Sequence, residues 1–137
     1  MAEGRLKERG LRELGDDYRK RIRRHVRCDE IEVRDSVGLL RAVPPGSSLV
    51  ALDVTGEAHS STDFARRVER WGSTGKGILT FAIGGAEGLS GEVLRASHAR
   101  LSLSSMTLPH RLARLVLLEQ LYRAMTILRN EPYAREG

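Results

Sequence analysis

The chain has 137 residues, 23 Lys plus Arg against 18 Asp plus Glu, and a formal net charge of +5 at pH 7, enough length for one domain over residues 1–137 that buries roughly two-thirds of its unfolded surface. A single cysteine, Cys28, excludes an intramolecular disulfide and any cysteine-rich zinc or iron–sulfur site. The apolar runs fall far short of the roughly 20 residues that span a bilayer, and the N-terminus lacks a hydrophobic signal core, so the expectation is a soluble, cytoplasmic protein with no membrane and no metal partner.

Residues 6–25 place Leu11, Leu14, Tyr18 and Ile22 at helical spacing, which predicts an amphipathic helix. Its end is rich in Arg21, Arg23 and Arg24, where positive charge suits the helix dipole and also suits RNA phosphate; the two readings weigh equally. Arginine supplies nearly all the basic charge, because the lysines are Lys7, Lys20 and Lys76 alone. That favours nucleic acid as the partner. The six aromatic side chains are scattered along the sequence, which argues against a base-stacking platform.

Residues 30–34 alternate as a short strand, 36–42 suit one or two helical turns, and Pro44, Pro45 and Gly46 end that piece. Two continuous apolar runs follow, at 48–53 and 77–83; strands apolar on both faces belong to a parallel sheet covered by helices on both sides. Between them Ser60, Ser61, Thr62 and Asp63 open a helix reaching about residue 71, making a β-α-β unit. Ser90 is expected to cap a helix to about residue 98, residues 101–103 form a short strand, and Pro109 starts a helix to about residue 128.

Parallel sheets bind ligands beyond the carboxyl ends of their strands, where turning backbone leaves N–H groups unpaired. Three strands end in suitable residues: Leu52 and Asp53; Gly84 and Gly85; and the loop Ser104, Ser105, Met106, Thr107, Leu108 and Pro109. The glycines let a ligand approach the backbone closely. The dinucleotide and P-loop fingerprints are absent, since neither Gly84-Gly85-Ala86-Glu87-Gly88 nor Gly72-Ser73-Thr74-Gly75-Lys76 has the required spacing. The four histidines, His25, His59, His98 and His110, never fall at metal-ligand spacing.

Projection of the last helix puts Ala113, Leu117, Leu118, Leu121, Ala124, Met125 and Leu128 on one wide apolar arc, with Leu112, Val116 and Ile127 opposite. Two faces are then buried, one of them available to a second copy of the chain. Arg114 points into the apolar arc, where a lone guanidinium is costly. It is paired there, or it serves substrate or an interface.

The segments Leu52-Asp53, Phe81-Ala82-Ile83-Gly84-Gly85-Ala86-Glu87-Gly88, Leu101-Ser102-Leu103-Ser104-Ser105-Met106-Thr107-Leu108-Pro109-His110 and Glu119-Gln120-Leu121-Tyr122-Arg123-Ala124 resemble the RlmH family of SPOUT methyltransferases. The resemblance implies an α/β fold with a parallel sheet flanked by helices and a C-terminal trefoil knot. It implies a homodimer that uses S-adenosylmethionine to methylate N3 of a pseudouridine in a 23S ribosomal RNA stem-loop, in the large subunit or the assembled ribosome. By motif, Leu52, Gly84, Gly85, Ser104, Ser105, Met106, Thr107, Leu108 and Pro109 become cofactor-binding positions. For the proton on N3, His110, Tyr133 and Arg135 are the candidate catalytic residues, and Arg114, Arg21, Arg23 and Arg24 the candidates for RNA or interface contact.

The chain departs from the family in three places. The first strand is expected to be missing or truncated, the connection between Val33 and Leu49 is short, and the tail reads Pro132-Tyr133-Ala134-Arg135 where the family commonly has histidine after the tyrosine.

Overall fold

The structure, a computed structural model, describes residues 1–4, 8–74 and 76–133. In chain order it runs β1 (Ala2–Glu3), α1 (Arg9–Arg23), β2 (Glu32–Val33), α2 (Ser36–Ala42), β3 (Ser48–Ala58), α3 (Ser61–Gly72), β4 (Leu79–Ala82), α4 (Gly91–Ala96), β5 (Ala99–Ser102) and α5 (His110–Leu128).

Three strands form a parallel sheet in the order β4-β3-β5, and β1 pairs in parallel with β2. A parallel bridge between Ala2 and Ile83 joins the two pieces, with Glu3 N donating to Ile83 O at 3.0 Å. The spatial order is therefore β2-β1-β4-β3-β5. The first strand is present but short, two residues long.

Alternation along the strands sends neighbouring side chains to opposite faces. Val50, Phe81, Ile83 and Leu101 join Phe64, Ala65 and Val68 of α3 and Leu117 and Ala124 of α5 in one core. Leu49 and Ala82 join Leu39 of α2 and Val93 of α4 in the other. Helix α5 packs between α1 and α3, so much of its apolar surface is covered within the chain, with Leu128 left exposed at its end. Ile127, which projection sets apart from the main arc, packs on the first core, whereas Leu112 stays exposed.

Short side-chain acceptors start three helices: Asp35 accepts from Gly38 N at 2.9 Å, Ser60 from Asp63 N at 3.1 Å and Ser90 from Val93 N at 3.3 Å. Strand β3 runs on to Ala58 instead of ending at 53. Its pairing with β5 slips between Leu52 and Glu57, both opposite Leu101. The excess residues bulge out, closed by Thr55 Oγ1 donating to Asp53 Oδ2 at 2.7 Å. Gly56 makes the bulge possible: a Cβ there would lie 2.7 Å from the backbone of Arg100. Among the described residues no helix is long and apolar enough to cross a membrane.

Candidate functional site

The register of the sheet decides which residues meet. Ala51 lies opposite Ala82 and Leu52 opposite Leu101, so β4 and β5 end level with the bulge of β3, which itself runs on to Ala58. Leu52 and Asp53, Gly84 and Gly85, and Ser104 therefore share one edge, as expected from their positions in the sequence.

The two adjacent glycines have different jobs. A Cβ on Gly84 would lie 2.4 Å from Gly88 C, so this residue lets the chain fold back on itself, with Gly88 N donating to Gly85 O at 3.0 Å. A Cβ on Gly85 would meet nothing nearer than Glu3, at 3.9 Å. Close approach by a ligand is thus a property of Gly85 alone. The Gly85 amide donates to Glu3 Oε2 at 3.4 Å, and Glu3 Oε1 accepts from Ser36 Oγ at 2.7 Å. Nothing local in the sequence marks Glu3, because its partners lie 33 and 82 residues away.

The loop from 104 to 109 is shaped by Ser102 Oγ donating to Ser104 O at 2.8 Å and Met106 N donating to Ser104 Oγ at 3.0 Å. Ser105, Thr107, Pro109 and above all Met106, 75% accessible, face outward, while Leu108 is half-buried. Among the described residues the amides of Ser105, Thr107 and Leu108 have no protein acceptor. An open glycine at the same end of the sheet as a loop with unspent donors and apolar side chains fits a small molecule that has both polar and apolar parts. His110 opens α5 directly after this loop.

The arginines lie elsewhere. Arg114 is 5% exposed and its two amino groups bond to Glu30 and, at 3.0 Å, to Glu32, while its Nε has no partner. It lines a cleft of about 130 Å³ between α1 and α5, together with Arg12, Asp16 and Arg19. Three carboxylates in that lining balance the three guanidinium groups, so the cleft is no anion trap. Arg21 pairs with Asp17 at 3.2 Å and lies 5.8 and 5.7 Å from the ring centres of Tyr18 and Tyr122. Arg23 donates to Cys28 O at 2.8 Å and stands 3.7 Å from Asp29. Arg24 is exposed and free of such ion pairs among the described residues. Burial raises the pKa of the nearby Cys28 thiol, which suits a packed side chain.

The aromatic residues, scattered in sequence, gather into two groups. Phe64, Trp71 and Phe81 meet in the first core, and all three tyrosines meet at the far end of α5 with His25. Tyr133 stacks on Tyr122, which lies roughly 18 Å beyond His110 along the helix at 1.5 Å per residue. Within one chain, His110 and Tyr133 are thus kept apart. Arg135 lies outside the described residues.

The family described as "Predicted SPOUT methyltransferase" matches residues 1–134. The chain is 56% identical over 138 residues to the ribosomal RNA large subunit methyltransferase H of Sorangium cellulosum, covering 97% of this chain and 95% of the relative. It is 43% identical over 152 residues to the protein of the same name from Pelotomaculum thermopropionicum, with the same coverage. In three dimensions it is similar to a probable methylase family protein from Haemophilus influenzae, with a TM-score of 0.58 over 96% of this chain and 67% of the other; at 14% identity that likeness concerns the fold alone. Nearly full-length identity to such relatives, joined to an all-parallel sheet with its loops at one edge, makes the chain a member of the SPOUT methyltransferase family, in its ribosomal RNA large subunit methyltransferase H branch.

Proposed function

We propose that this chain methylates N3 of a pseudouridine in the helix 69 stem-loop of 23S ribosomal RNA, with S-adenosylmethionine as donor. In this reading it acts in the cytoplasm as a homodimer, on the large subunit or the assembled ribosome, with the C-terminal trefoil knot of its family. The observation that supports the reading most is the shared edge of Leu52, Gly85 and the 104–109 loop, in a chain so close to proteins named as ribosomal RNA large subunit methyltransferases.

S-adenosylmethionine, when bound, supplies an electrophilic methyl group on a sulfonium. The residues that would hold it are Leu52, Met106 and Leu108 through apolar contact, Gly85 through its open backbone, and Ser105, Thr107 and Leu108 through their amides; Gly84 closes the turn and Ser104 and Pro109 set the loop's course. Holding nucleophile and methyl group in line is most of the task, worth about 7–11 kcal/mol for well-oriented reactants. N3 also carries a proton that must leave. His110, on the first turn of α5 directly after the loop, would take it. Arg135 would orient the base from the tail of the partner subunit, and Arg24, with its unspent charge, would meet phosphate before Arg21, Arg23 or Arg114 do.

Incubation with S-adenosylmethionine labelled in its methyl group, followed by mapping of the labelled nucleotide, tests this. Label at one pseudouridine of 23S RNA is the expected result, and His110→Ala should slow it by about 10² or more with donor affinity unchanged. Label in another RNA, or none, contradicts the reading.

A further inference from the structure

The run Glu119-Gln120-Leu121-Tyr122-Arg123-Ala124 carries part of the family resemblance, yet it sits in the C-terminal half of α5, away from the strand ends. Residues 119, 122 and 123 stand at i, i+3 and i+4 and so share one helix face. On that face lies Tyr133. Its ring centre is 4.6 Å from that of Tyr122 at an interplanar angle of 60°, the Arg123 guanidinium is 5.2 Å from the same ring centre, and its hydroxyl donates to Glu119 Oε1 at 3.4 Å. Arg123 is locked in turn, with Nε and Nη2 at 2.9 and 2.7 Å from that same oxygen. This pairing raises the Arg123 pKa. Tyr18 of α1 backs Tyr122 at 6.3 Å.

The route to this seat is also built. Asn130 takes a left-handed conformation at φ 54°, and Glu131 N donates to Thr126 O at 2.8 Å, which closes the end of α5 and turns the chain back along it. Of the contacts that hold Tyr133, the ring stacking and the cation over the ring are close, and the hydroxyl bond is long. Burial raises the hydroxyl's pKa, with its hydrogen bond to Tyr18 and the charge of Glu119 adding to the effect, so the phenol stays protonated at neutral pH.

We propose that Tyr133 is a positioning residue: its ring, seated on Glu119, Tyr122 and Arg123, fixes where the end of the chain leaves α5 for methyl transfer, and its hydroxyl takes no proton from substrate. The proposal rests on the methyltransferase reading above. It gives the Glu119 to Ala124 run a function that the strand-end site does not.

Single-turnover methyl transfer and donor binding by calorimetry on the full chain test it. Tyr133→Leu and Tyr122→Leu should each slow transfer by about 10–10², the scale of a misplacement of about 1 Å, with donor affinity unchanged. Tyr133→Phe should restore most of the loss and leave the pH profile where it was. The double variant Tyr122→Leu/Tyr133→Leu should be no slower than the worse single one, because both remove the same contact. Should Tyr122→Leu fail to fold, Arg123→Leu removes the cation from the ring and should act in the same direction. Tyr133→Phe as slow as Tyr133→Leu, or Tyr122→Leu and Arg123→Leu at the wild-type rate, overturns the proposal in an active enzyme. A wild-type chain that methylates no ribosomal RNA instead overturns the functional reading, and this proposal with it.

Discussion

The two halves of the sheet are held together by different forces. On the β4-β3-β5 side, backbone ladders and continuous apolar side chains suffice, with Val50 and Ala51 completely buried at the centre. On the β1-β2 side each strand has two residues, too few for a ladder to hold alone. Side chains take over there: Arg114 of α5 reaches Glu30 and Glu32, Arg19 of α1 reaches Glu30 at 3.1 Å, and Ser36 holds Glu3. Where the ladder is this short, ionic groups reinforce the backbone bonds that residues 1–4 make to Ile31, Val33 and Ile83, and Glu3 ties this side to the Gly85 loop.

The sharpest way to break this contrast is Arg114→Leu. Removing the guanidinium takes a buried partner from Glu30 and Glu32, with Arg19 remaining at Glu30, and should cost about 3 kcal/mol of stability in urea unfolding. A loss below about 1 kcal/mol would mean that the short half-sheet is held by something else. Next in size comes Gly84→Ala, where the new Cβ meets backbone at 2.4 Å and should cost about 2–3 kcal/mol. Gly85→Ala, one residue away, should stay within about 0.5 kcal/mol of wild type while weakening donor binding. Equal stability losses in these two variants would erase the division between them. The smallest effect is expected for Glu3→Ala, about 1 kcal/mol from the lost Ser36 and Gly85 bonds, with a modest weakening of donor affinity through the Gly85 loop.

Much of this was legible in the sequence because its causes are local. Ser60 and Ser90 announce helix starts by side-chain chemistry, Ser36 to Ala42 emerges as predicted, and the unbroken apolar runs at β3 and β4 require a parallel sheet. The shared edge followed from strand ends alone. The apolar projection of α5 showed that Arg114 needs a partner, but nothing in it points to carboxylates 82 and 84 residues earlier. The extension of β3 was hidden for a different reason. Residues 53–56 carry Asp53 and Thr55 and end in glycine, which reads as a turn, and only the slip against Leu101 lets the strand resume. The gathering of Tyr18, Tyr122 and Tyr133 is likewise tertiary, set by how α1 and α5 pack and by the turn at Asn130.

The central claim is that the edge formed by Leu52, Gly85 and the 104–109 loop holds the methyl donor. Calorimetric titration of S-adenosylmethionine into the wild-type chain and into Gly85→Trp, with urea unfolding of both, tests it most directly. The account predicts saturable binding to wild type and its loss in Gly85→Trp at nearly unchanged stability. Equal binding by both proteins, or a folded wild type that binds none, would contradict it.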